Sequence, residues 1–285
     1  DVALGIAQSD VNNLAIRNAI YDLSEFPDCN EPLEEFYKYS VAPFEWNGGL
    51  YGLPETAVWP MLFYRSDILK ELDISLGDLS TWDSLLHSVL PKLQKNSLDF
   101  GMLPTIQNYL NMLYQSQGSM YINNGKNSGL SSAAAIESMK VFAMLYEQYG
   151  LSLSFDFANR FRTGEMPVAV VDYTMYNTLT MFASEIKGLW GMLPIPGTVS
   201  EGGTVDRTAA ATLTGTVMLS DTKNPQAAWK FMKWWASAET QNSFGKRLES
   251  VVGSAARYNT ANKAAMERVG WDPDMRAAML YQANA

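Results

Sequence analysis

The run Val168-Ala169-Val170-Val171, followed by Asp172-Tyr173-Thr174-Met175-Tyr176-Asn177, decides how this chain is read. Four small or β-branched apolar residues without polar alternation predict a strand buried on both faces. A sheet covered on both sides implies an α/β architecture, and the spacing predicts largely parallel strands. The polar and aromatic residues that follow fall at the carboxyl end of that strand, where α/β units place ligands.

Working outward, residues 1–7 read as a strand, as do 61–64 and 216–219, while residues 13–26 carry an apolar helical spacing. Trp46-Asn47-Gly48-Gly49 is a hairpin-type turn. Thr81 is placed to cap a helix carrying Trp82, Leu85, Leu86, Val89 and Leu93, which Pro91 is expected to kink. Ser131 or Ser132 caps a second helix, with Ile136, Met139, Phe142, Ala143, Tyr146 and Tyr149 expected on its buried face. Asn224-Pro225 opens a third, with Ala228, Phe231, Met232 and Trp235 as its core stripe.

The 285 residues are 47% apolar and 18% charged, a globular composition long enough for two cores. No apolar run approaches the ~20 residues that cross a bilayer. A chain opening directly on a strand, without an initiator Met or a secretory signal, reads as a fragment or a processed product. The net charge of −9 argues against a nucleic-acid partner, because phosphate backbones need a basic footprint. Cys29 and His87 are the lone cysteine and histidine. That pair leaves no intrachain disulfide and no zinc site of the usual nitrogen and sulfur type. His87 reads as a surface residue. No acidic cluster has calcium-loop spacing, and no metal or cofactor is expected.

Several phrases then line up in one order. Tyr51-Gly52-Leu53-Pro54-Glu55-Thr56 is followed by Met61-Leu62-Phe63-Tyr64-Arg65-Ser66-Asp67-Ile68-Leu69 and by Thr81-Trp82-Asp83. Phe161-Arg162-Thr163-Gly164-Glu165-Met166-Pro167 and Lys223-Asn224-Pro225-Gln226-Ala227-Ala228-Trp229 come later, then Gly253-Ser254-Ala255-Ala256-Arg257-Tyr258. Together they resemble the extracellular solute-binding proteins of family 1, the sugar-binding, maltose-binding-protein-like components of ABC transporters. Arg65 and Ser66 stand where that family usually carries Asn and Lys.

The resemblance implies truncation at both ends and a two-lobed, periplasmic-binding-protein-like fold of type II. One lobe would hold residues 1–54 and 215–253, the other 58–211 and 256–285, with hinges near 55–57, 212–214 and 253–255. It further implies a monomer that is extracellular, cell-surface anchored or periplasmic. Such a receptor closes over a sugar or oligosaccharide and delivers it to an ABC transporter permease.

Sugar recognition needs flat aromatic faces and planar polar groups. Glu55 is expected to accept sugar hydroxyls and Trp59 to stack, unless Glu55 is solvated and Trp59 is packing. Asn108 and Tyr109 pair an amide with an aromatic, the alternative being a plain helix start with Tyr109 in the core. Asp172, Tyr173 and Tyr176 follow the buried strand, Gln8 and Ser9 follow the first strand, and Thr214 and Arg257 lie at or just past later crossings. Two other classes stay open: a hydrolase using Glu55 and Asp172 as a carboxylate pair, and a surface sugar sensor without transport.

Overall fold

The computed structural model describes residues 1–123 and 125–285. The chain divides into two compact units. Asp1–Val58 and Ala211–Trp271 form unit 1, and Trp59–Ala210 with Asp272–Ala285 form unit 2, so the backbone passes from one to the other three times.

Unit 1 is built on a sheet in the order Val2–Ala7, Thr212–Met218, Leu53–Val58. Both pairings are antiparallel, and Thr214 sits opposite Ala7 on one side and Thr56 on the other. The central strand is buried from Gly215 to Met218 and rests on Phe44, which is fully enclosed. Phe26 stacks on Trp229 with centroids 5.0 Å apart, and the Trp229 indole donates to Asp28 at 2.7 Å. The hairpin turn forms as its residues require, with Asn47 and Gly48 both at positive φ between two short paired strands. Residues 259–261 add hydrogen bonds along the Leu53–Val58 strand, from Ala57 N–H to Asn259 O and from Ala261 N–H to Glu55 O.

Unit 2 holds a sheet in the order Trp190–Leu193, Pro60–Arg65, Val168–Asp172, Phe100–Gly101. Val168, Ala169 and Val170 are buried to 2% exposure or less, which accounts for their unbroken apolar run. The expectation of largely parallel strands is corrected. In the two main sheets only Phe100–Gly101 pairs in parallel, with Val168 and Ala169. Lack of alternation reports burial on both faces and carries no information on direction.

Capping signals were sound where a side chain supplies the acceptor. The Thr81 and Ser132 hydroxyls accept from Ser84 and Ala135 N–H. Pro91 is accommodated by a π-helical stretch, Leu85–Val89, just before it. The first helix runs Gln8–Ile16 directly from the strand with no side-chain cap, so the expected span at 13–26 is wrong in phase. Helix Ala133–Glu147 buries Ala135, Ser138 and Leu145, whereas Ile136 and Met139 are about half exposed. In helix Pro225–Ala236, Phe231 likewise faces out, and Ala228, Trp229, Met232 and Ala236 face in.

Gly215 is the tightest point of the unit 1 sheet. A Cβ there would lie 2.4 Å from Phe44 Cε1. Gly215→Ala is expected to cost about 1–3 kcal/mol through overpacking, read as a lower urea midpoint at unchanged slope.

Candidate functional site

In unit 2 the register between Pro60–Arg65 and Val168–Asp172 sets Pro60 opposite Asp172, so Trp59 and Tyr173 meet just beyond the sheet. Tyr173 N–H donates to Trp59 O at 3.1 Å, and the two rings lie 4.7 Å apart at 48°. Both are enclosed, Trp59 at 3% exposure and Tyr173 at 0%. The ring expected to offer a stacking face is therefore packed against its neighbour. Its indole N–H is buried with no hydrogen-bond partner. Tyr176 sits one turn on, its hydroxyl accepting from Asp272 N–H at 3.3 Å and its ring edge-on to Trp190.

Asp172, the last residue of its strand, remains exposed. Surrounding protein still strips much of its hydration, and that loss raises its carboxyl above the ordinary carboxylate range. The arrangement is an accessible, partly desolvated acceptor next in sequence to an enclosed aromatic pair.

Unit 1 treats its expected acceptor differently. Glu55 is 7% exposed and its carboxylate is fully engaged. Oε2 accepts from Gly5 N–H at 2.7 Å and from the Thr216 hydroxyl at 3.0 Å, and Oε1 accepts from the Tyr258 hydroxyl at 3.2 Å. Burial, then the Glu55 charge, pushes the Tyr258 phenol well up, so it stays a donor. Tyr258 and Thr216 were not singled out for this role. The strand period did carry a signal, since it puts Thr214 and Thr216 on one face. The Thr214 hydroxyl bonds to that of Thr56 at 2.6 Å. Gln8 reaches Ala211 O at 3.4 Å and Ser9 is exposed in the same helical turn. Arg257 is paired with Glu249 at 2.8 Å and lies over the Trp271 ring at 4.9 Å.

Asn108 and Tyr109 are engaged inside the protein. Tyr109 is 4% exposed, donates to Ala135 O at 3.3 Å and packs edge-on against Phe142, a core residue. The Asn108 amide donates to Leu103 O at 2.8 Å and fixes the turn before its own helix. No group of acidic, His or Cys side chains able to hold a metal occurs among the described residues.

The family model for bacterial extracellular solute-binding proteins matches residues 1–267. The chain belongs to that family. Among its relatives is the arabinooligosaccharide-binding protein of Bacillus subtilis, 24% identical over 237 residues, covering 80% of this chain. A binding protein of Brucella abortus is 25% identical over 224 residues, covering 73% of it. The chain spans 53% of the length of each of these relatives. In structure it is similar to the sugar-binding protein MalE of Xanthomonas citri, with a TM-score of 0.80 at 15% identity, over 99% of this chain and 71% of that one. That likeness establishes the α/β fold shared with the solute-binding proteins.

Two outcomes follow from the carboxylates. Glu55→Gln keeps one acceptor oxygen but turns an amide N–H toward at least one of the three donors, and is expected to cost on the order of 1–3 kcal/mol in chemical denaturation. Asp172 works in the opposite sense. Its folded carboxyl holds a proton at pH values where the unfolded one has lost it, so stability falls as pH rises from the unfolded value through the raised folded one. Asp172→Asn should therefore raise the melting temperature at neutral pH and leave it unchanged at pH 3; a lower neutral melting temperature contradicts this.

Proposed function

We propose that this chain captures a sugar or oligosaccharide outside the cytoplasm and presents it to an ABC importer. Family membership supports a binding role, and the relative named for arabinooligosaccharides supports the ligand class. The observation that carries the reading is Asp172: exposed, partly desolvated, and at the end of a buried strand next in sequence to Tyr173, which is enclosed with Trp59. A carboxylate already short of water loses little when sugar hydroxyls replace the remainder, and gains charge-assisted hydrogen bonds. Trp59 and Tyr173 are enclosed against each other and offer no stacking face in this reading.

In this reading the chain passages after Val58, Ala210 and Trp271 serve as hinges, and ligand binding shifts the population that a permease recognises. No described helix is long and apolar enough to cross a membrane, and surface anchoring and a monomeric state remain part of the same proposal. The hydrolase alternative has less support, because the Glu55 carboxylate is committed to three internal donors.

A glycan panel followed by calorimetry and a reducing-end assay tests this. Saturable binding without bond cleavage is expected, and Asp172→Asn should weaken it at least tenfold, ~1.4 kcal/mol, with the fold intact. Release of reducing ends, or unchanged affinity in the variant, would overturn the assignment.

A further inference from the structure

A second set of aromatic and polar groups lies at the outer edge of the unit 2 sheet. Trp190–Leu193 is the edge strand there, paired in the sheet with Pro60–Arg65. Beside it is a cavity of about 600 Å³ or slightly less, ≈ 570 Å³, whose lining includes Tyr64, Tyr176, Trp190, Lys187, Asp272 and Asp274.

The cavity is built by specific choices. Gly191 faces Tyr64 across the strand pair, and a Cβ there would sit 2.6 Å from the Tyr64 hydroxyl. Glycine thus lets the Tyr64 ring lie against the edge-strand backbone. Trp190 is held by Phe63, stacked at 5.9 Å, and by the edge of Tyr176 at 5.6 Å. Gly188, at φ +78°, makes the turn between Lys187 and the strand. Asp272 accepts from the Asp274 and Met275 N–H groups and so fixes the start of helix Pro273–Ala283. Lys187 and Asp274 are exposed, and neither forms an ion pair among the described residues.

The chemistry selects a ligand class. Lysine opposes a cation and the two aspartates oppose an anion. A donor, acceptors and a phenol beside rings suit a neutral molecule with paired hydroxyls and an apolar face. The volume falls in the range of small-molecule sites. We propose that this cavity is a second carbohydrate site, taking one or two sugar units. It shares Tyr176 with the Asp172 region, but its Trp190 end lies away from Asp172. Asp172 is opposite Pro60 and Trp190 is opposite Arg65, five residues along one strand, or roughly 17 Å. Binding at the Trp190 end can therefore be tested apart from the function proposed above.

The test uses the full chain labelled with 5-fluorotryptophan and ¹⁹F NMR, with maltose, cellobiose and xylobiose as probes at millimolar concentration. Trp190→Phe assigns the Trp190 resonance among the eight tryptophans. That resonance is expected to shift saturably with at least one probe. The shift should persist in Asp172→Asn and weaken at least tenfold in Lys187→Ala/Asp274→Ala, with Asp274→Asn as a milder variant should the double one not fold. A Trp190 signal silent to all three probes, one unaffected by these cavity variants, or one abolished by Asp172→Asn overturns the second site. Binding detected only at other resonances overturns it while leaving the Asp172 reading in place.

Discussion

Unit 1 depends on one buried anion. Glu55 joins Gly5, Thr216 and Tyr258, groups 50, 161 and 203 residues away in the chain, through a carboxylate that is 7% exposed. An enclosed carboxylate without hydrogen bonds would be prohibitively costly, so the three donors set where their segments must lie. Two of them belong to the strands Val2–Ala7 and Thr212–Met218, and the third to the segment bonded along Leu53–Val58. The bulge around Gly5, at φ +68°, turns its N–H toward the carboxylate in place of a regular ladder. Stability and register therefore come from the same side chain.

This arrangement also explains what could be read in advance. Signals confined to a few adjacent residues were legible: the Asn47-Gly48 turn, the Thr81 and Ser132 caps, and the apolar run at Val168. Signals that depend on a partner were not. Helix Ala133–Glu147 was expected to bury its largest apolar residues, yet small Ala135 and Ser138 lie inside. The Ser138 hydroxyl reaches Met112 O on the neighbouring helix, a close approach that a small side chain permits. Strand direction, likewise, is a property of pairs, so the parallel expectation failed even though the strands themselves were found.

The candidate residues divide by the same principle. The place of Asp172 at a strand end was legible, because a strand end is a local feature. Tyr109 and Asn108 have similar local sequence, an amide beside an aromatic after a strand. The ring nevertheless fills a space against Phe142, and the amide closes a turn. Aromatic residues beside polar ones are too common in the cores of this chain to mark a ligand surface unaided.

What separates Asp172 from its fellow carboxylates is the direction of its titration. Asp28 is held low by hydrogen bonds from Lys233 and Trp229, Asp67 by Arg65, Asp78 by Ser75 and Glu185 by Arg162. Each has found its partners inside the protein, and each ionised form is favoured as a result. Asp172 has been deprived of water and given no cation in return, so its ionised form is disfavoured. A fold that only needed a helix cap or a solubilising charge would gain nothing from such a placement. The deficit is removed when donors arrive from outside, and sugar hydroxyls are donors that bring no charge. In the proposed reading, the energetic shortfall at Asp172 becomes a source of affinity.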